Sequence, residues 1–378
     1  MKNRVLIYTE ANSFGGSEQY VLYLIDTLFT KFSLYLAYTG FPIYKSFEKY
    51  KTKLTSIHCW NSRFPPITTE HESFNGYYGF TNWIDNLYKG IMPHIVIANN
   101  GGYPWNFSTF LALQSAQENK ITRRILIPHS TPDNIFNIDG IQIDALVNKC
   151  CTDVIIGSNA LREKYLNERH MLLNKLLKVC EYGVPEVMFY NKRKNNSDKI
   201  TIGFLGSMRN LRKGQIEILK AAKKFCDLGK NINFIFAGGG QEINTLREYI
   251  GANKLKNVAL VGQVNGEAKR KFFKAIDIFI LPSQQEGLSL ALLEALSAGV
   301  AIIASNVGGT ADAVQHGING ILLDNVSPET IFNAIFLYEK DSAFLFQCGK
   351  NSRKLYEDTF SFERFKKRFL KIILGMDK

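Results

Sequence analysis

The chain has 378 residues, 46% hydrophobic and 21% charged, which is enough for two domains and too apolar for disorder. Its 46 basic against 34 acidic side chains leave a formal charge of +12, which points to an anionic partner: nucleic acid, an acidic membrane surface or a phosphorylated small molecule. Six cysteines without a CxxC pair, an apolar N-terminal stretch too short for a signal peptide and no run of 18 apolar residues argue against secreted, membrane-spanning and fibrous classes and for a cytoplasmic protein. From the N-terminus, β-rich runs fall at residues 5–9, 33–37, 94–98, 124–128 and 153–157, with a helical pattern at 17–28. Further runs at 200–205, 232–237, 257–261, 277–281 and 300–304 alternate with helical patterns at 214–228 and 289–298. Most runs are continuously apolar, as parallel strands buried on both faces are, and the alternation reads as α/β. The polar, aperiodic stretch PEVMFYNKRKNNSDK (185–199) marks the boundary between domains 1–187 and 188–357. Each domain opens with a strand and a glycine loop, so a ligand site is expected in a cleft between two Rossmann-like domains. Residues 1–190 carry a net +2 and residues 191–378 a net +10, so the anion is sought in the second half.

The most informative segment is EGLSLALLEALSAG (286–299). A polar loop follows the strand at 277–281 and opens an apolar helix, whose first N–H groups and positive dipole end suit a diphosphate. Gly287 allows close backbone approach. Glu294 is the single charge of that helix, and its side chain leans toward the helix N-terminus. Its two acceptor oxygens match the vicinal hydroxyls of a ribose; taken alone it reads equally well as a solvated glutamate. Gly308-Gly309 in VGGTADAVQHGINGILL reads as an anion nest or as a tight strand-to-helix turn. In GSMRNLRKG (206–214), Arg209, Arg212 and Lys213 stand where they can neutralise a pyrophosphate.

Together these segments resemble the nucleotide-sugar-binding domain of retaining glycosyltransferases of family four, which have the GT-B fold. The resemblance runs from about residue 200 to 323 and includes two glutamates, Glu286 and Glu294, with seven residues between them. In the first half, Gly15-Gly16-Ser17-Glu18 resembles the family's GGxE loop, His129 in PHSTP its cleft-facing histidine, and Tyr182-Gly183-Val184-Pro185 the lead into the linker. The resemblance implies that Glu294 binds the ribose and Glu286 a hydroxyl of the transferred sugar. It implies that Lys213 stabilises the departing diphosphate with backbone N–H groups near Leu288 and Ser289, that Gly16 approaches the donor phosphates, and that His129 faces the sugar. The family commonly has an arginine where this chain has Ser207, and Arg209 is the candidate replacement. Asp312 stands where glutamate is commoner.

The expectation is therefore a retaining enzyme that moves a hexose from a nucleoside diphosphate sugar, a UDP-sugar in first place, to a glycan or lipid-linked glycan in surface polysaccharide or glycoconjugate synthesis. No Asp-x-Asp occurs, so metal-independent chemistry with no metal site and no cofactor is expected. A same-fold epimerase or hydrolase and a non-catalytic sugar-nucleotide-binding partner are the alternatives. Gly238-Gly239-Gly240 does not match GxGxxG, which argues against a dinucleotide oxidoreductase, and no motif supports nucleic-acid binding. Tyr103 and Trp105, after Asn99-Asn100-Gly101-Gly102, are candidates for stacking on an acceptor sugar. The basic amphipathic segment FSFERFKKRFLKIIL (360–374) reads first as part of a C-terminal helix (358–378) packing back on the first domain, and second as a contact with the anionic inner face of a membrane.

Overall fold

The computed structural model describes residues 2–10, 14–39, 44–60, 72–103, 106–132, 138–169, 174–187 and 199–376. The chain divides into two units, Met1–Cys180 with Lys367–Lys378, and Glu181–Lys366.

The first unit is built on a seven-stranded sheet: β1 (Arg4–Glu10), β2 (Ser33–Thr39), β3 (Ser56–Trp60), β4 (Ile95–Asn100), β5 (Arg123–Pro128), β6 (Asp153–Ile156) and β7 (Leu177–Val179). The second is built on six strands: β8 (Ile200–Leu205), β9 (Ile232–Ala237), β10 (Val258–Gly262), β11 (Ile278–Leu281), β12 (Ala301–Ser305) and β13 (Gly320–Leu323). Their orders are β3-β2-β1-β4-β5-β6-β7 and β10-β9-β8-β11-β12-β13. All pairs are parallel, with β1 between β2 and β4, and β8 between β9 and β11. In each sheet the strand order reverses there, and ligands of such sheets bind beyond the strands' carboxyl ends at that reversal.

The continuously apolar central runs are strands, as expected. β3, β7 and β13 lie outside the predicted runs, and each ends its sheet. An edge strand is covered less completely: β3 is half-buried throughout, so His58 and Cys59 are tolerated there and the apolar signal is diluted. The helices Gly16–Leu28, Gln215–Asp227 and Leu290–Ala298 fall within one residue of their predicted bounds. Ser289 caps the last of these by accepting from the Leu292 N–H.

The segment that leads out of β7 is held within the second unit. Arg353 pairs with Glu186 and Glu357, each at 2.6 Å, and Tyr356 Oη donates to the Val184 carbonyl at 3.1 Å. The terminal helix Phe362–Ile373 buries Phe365, Phe369, Ile372 and Ile373 and leaves Arg364, Lys367 and Lys371 exposed. Its carbonyls at Ile372 and Ile373 accept from the Arg123 guanidinium, which satisfies helix-end groups that otherwise lack partners.

One polar cluster lies inside the first unit. Arg169 and Asp144 have side chains 3% exposed and pair at 3.0 Å, and Tyr103 Oη donates to Asp144 at 2.5 Å. Tyr103 is itself 1% exposed, edge-on to Phe110 and Tyr165 and below the Arg169 guanidinium. Removing one member of such a pair leaves a desolvated charge. Arg169→Met is expected to cost about 3–5 kcal/mol of stability in denaturant unfolding, whereas Arg169→Met combined with Asp144→Leu costs much less. Equal losses in the two variants would refute a charge-compensation role for Arg169.

Candidate functional site

In the second unit the loops at the carboxyl ends of β8 and β11 bring the predicted charges together. The loop after β8 is pinned by backbone bonds, Gly206 N–H to Ala237 O at 3.1 Å and Met208 N–H to Gly239 O at 2.9 Å. Gly238 and Gly240 have φ values of +137° and +155°, and a Cβ on either would fall within about 2 Å of the 206 or 208 backbone. The triple glycine is therefore a packing surface that lets the loops after β8 and β9 touch. Gln284 N–H donates to Arg212 O at 2.8 Å, joining the loops after β8 and β11. Lys213 Nζ consequently meets Glu286 Oε1, which also accepts from Ser283 Oγ at 2.8 Å. Their side chains are only 25% and 11% exposed, so each charge is met largely by the other.

Immediately beyond lie Gly287 and Leu288, both buried, and Ser289, half-buried at the start of the helix Leu290–Ala298. Gly308, with φ +52°, sits so that a Cβ would lie 1.8 Å from the Glu286 carbonyl. The Gly309 N–H donates to Gly287 O at 2.5 Å. The Gly308-Gly309 turn thus supports the Glu286 loop with the N–H that an anion nest needs, and the tight-turn reading holds.

Just over one turn into the helix, Glu294 is 6% exposed and its Oε1 accepts from Lys269 Nζ at 2.7 Å. Burial raises its pKa, and Lys269 opposes the rise. Arg209 and Arg212 are exposed, and the Arg209 N–H lies 3.4 Å from Ser207 Oγ. Lys269 and Ser283 were missed by sequence reasoning. Lys269 lies in the run Lys269-Arg270-Lys271, which reads as a solvated face, but it precedes the buried Phe272 and Phe273 by three and four residues. That spacing puts it on the inward stripe of its helix.

In the first unit, Gly16 begins the helix Gly16–Leu28, and Glu18 is spent on its cap: its carboxylate accepts from Gly15 N–H and Ser17 Oγ, both at 2.7 Å. His129 stands at the end of β5, with Nε2 2.6 Å from Asn99 Oδ1 and the ring edge-on to Tyr20. The Asn99 amide nitrogen donates to Thr9 Oγ1 and the Ser17 carbonyl, so Oδ1 is the acceptor and Nε2 carries a proton. Desolvation pushes the His129 pKa down to about 3. Asn99, which the sequence placed only in a loop lead, is what orients this ring. Glu10, at the end of β1, was also missed. It accepts from the Ser108 N–H and Oγ, Tyr8 Oη donates to Ser108 Oγ at 2.6 Å, and burial raises the Glu10 pKa.

The acceptor-stacking expectation for Tyr103 is corrected: a ring enclosed in the core offers no face to a sugar. Trp105 lies outside the described residues. Among the described residues, no cluster of three potential metal ligands occurs and no helix is long and apolar enough to cross a membrane.

Residues 189–355, most of the second unit, match the family model Glycosyl transferases group 1. The chain is 26% identical over 226 residues to the capsular polysaccharide biosynthesis glycosyltransferase CapM of Staphylococcus aureus, covering 56% of this chain and 58% of CapM. It is 32% identical over 177 residues to an uncharacterized glycosyltransferase of Methanocaldococcus jannaschii, covering 46% and 45%. The chain thus spans about half the length of the curated relatives it matches. Among solved structures, Anabaena HepE in complex with UDP superposes with a TM-score of 0.80 at 15% identity, over 99% of this chain and 100% of HepE. Two Rossmann-like halves with this neighbour establish the GT-B fold.

A histidine whose native pKa lies below its unfolded value of about 6.5 binds fewer protons folded than unfolded between the two. Its stabilising contribution is therefore complete above pH 6.5 and is lost as the pH falls toward 3. Ring 15N shifts of His129 are expected to report the neutral Nε2–H tautomer throughout pH 5–8. Asn99→Asp should raise the pKa by placing a carboxylate at the ring, and an imidazolium in the wild type at pH 6 would contradict the assignment.

Proposed function

We propose that this chain is a retaining, metal-independent glycosyltransferase that moves a hexose from a UDP-sugar to a glycan or lipid-linked glycan in surface polysaccharide synthesis. The observation that carries the reading is the Lys213–Glu286 pair, set where the order of the second sheet reverses and directly before the helix Leu290–Ala298. UDP in the HepE structure and the capsular role in the CapM name support the donor and the pathway class.

The reaction needs an anionic leaving diphosphate stabilised and an electron-poor sugar oriented. Lys213 supplies a mobile ammonium, and the helix N-terminus supplies fixed N–H dipoles. Before the donor arrives Glu286 neutralises Lys213. When the diphosphate takes that ammonium, Glu286 keeps Ser283 Oγ and turns a carboxylate oxygen to a sugar hydroxyl. Glu294 accepts the ribose hydroxyls. Arg209, exposed beside Ser207, adds positive potential at the loop mouth and stands in for the missing arginine. His129 is assigned to the sugar as a neutral ring with a fixed tautomer, a hydrogen-bonding group and not a cation. The first unit is assigned the acceptor. The apolar face of the helix Phe362–Ile373 is buried, so its membrane contact would be electrostatic, through the exposed Arg364, Lys367 and Lys371.

A thermal-shift screen against UDP-, GDP-, ADP- and CMP-sugars is expected to single out UDP-sugars, and Glu294→Ala should abolish the shift. With the donor known, Lys213→Ala should lower kcat about 10²–10³-fold, the range for one lost transition-state donor, and EDTA should leave the rate unchanged. Stabilisation by no nucleotide, an equal response in Glu294→Ala, or full activity in Lys213→Ala would each refute the reading.

A further inference from the structure

We propose that Lys269 is a positioning residue for nucleotide recognition, which sets Glu294 as an ionised, fixed-rotamer acceptor for the two ribose hydroxyls; this rests on the donor reading above. Lys269 is the fourth residue of the helix Gly266–Ala275, in the loop-helix segment that follows β10. Its neighbours Arg270 and Lys271 are exposed, whereas the Lys269 side chain is 24% exposed and ends 2.7 Å from Glu294 Oε1.

The geometry answers a specific difficulty. Glu294 sits in LALLEALSA, where Leu292, Leu293, Ala295 and Leu296 are fully buried. A carboxylate there is driven toward its protonated form by desolvation. A protonated carboxyl has one O–H donor and loses acceptor capacity, so it cannot take two hydroxyl protons side by side. An ammonium on Oε1 keeps the group ionised. It also leaves the second lone pair of Oε1 and both of Oε2 for a ligand, which suits two vicinal hydroxyls. Three rotatable N–H donors on a flexible stem let Lys269 hold Oε1 without the bidentate grip that an arginine would impose on both oxygens. Lysine here should therefore favour nucleotides with an intact ribose over those lacking the 2′ and 3′ hydroxyls.

The test compares binding of UDP and 2′,3′-dideoxy-UDP by calorimetry. Wild type is expected to prefer UDP at least about tenfold, the effect of hydrogen bonds to a charged group. Lys269→Met should bring the ratio to within about threefold of one, and Lys269→Arg, whose fork engages both carboxylate oxygens, should recover little of it. A merely structural lysine would weaken both ligands together and leave the ratio intact, which would overturn the inference and spare the donor reading. A wild-type ratio near one overturns the ribose assignment of Glu294 and the inference with it. Because Lys269→Met leaves a carboxylate uncompensated, Glu294→Gln and the double variant Glu294→Gln with Lys269→Met are measured too. With nothing ionised to hold, the added Lys269→Met should leave UDP affinity unchanged; a further loss shows that the lysine acts directly and overturns the positioning role.

Discussion

A carboxylate removed from water needs its counter-charge before any ligand arrives, and the second unit is organised around two that meet this requirement. Glu286 is held by Lys213 and Ser283, and Glu294 by Lys269. In both pairs the lysine comes from a different loop or helix than the glutamate. Each pair therefore exists only because β8, β10 and β11 end on the same side of one parallel sheet. Surface pairs of this kind contribute little; these matter because partial burial leaves few competing partners.

Close backbone approach makes that arrangement possible. The loop after β9 touches the loop after β8 through Gly238 and Gly240, and the turn after β12 touches the Glu286 loop through Gly308. At each of these contacts a side chain would collide with backbone, which cannot yield as a flexible side chain can. These glycines let the loops around the candidate site pack directly on one another. Their positive φ angles have the same origin as the contacts: the chain must turn sharply as it leaves a strand.

The first unit solves a related problem with neutral groups. At the ends of β1, β4 and β5, Thr9, Asn99 and His129 form a hydrogen-bonded chain in which burial removes the charge from the imidazole. Glu18 is consumed by its own helix cap, and Tyr103 and Arg169 satisfy the buried Asp144. The candidate residue His129 is set there by tautomer and orientation and not by an ion pair. Glu10 is a partial exception, since its carboxyl is drawn upward in pKa by burial while Ser108 donates to it twice.

Long apolar runs and their order are local properties, so the sequence alone determined the central strands, the main helices and the division into two α/β halves. It also placed Lys213, Glu286 and Glu294 near helix starts and strand ends, because loop-to-helix junctions are written in neighbouring residues. The edge strands β3 and β7 escaped because partial exposure dilutes the apolar signal, and β13 because an apolar run of four residues is too short to stand out. Tyr103 was misplaced because a tyrosine after a glycine pair reads alike whether it turns out or in, and only Asp144, 41 positions away, draws it inward. Lys269 differs from Arg270 and Lys271 only in its spacing to both Phe272 and Phe273, and its partner emerged only when the helix was docked, since a charge acquires its role from what it faces. The tertiary structure decided which cation meets which carboxylate, a choice made across separations of 25 and 73 residues that no local pattern encodes.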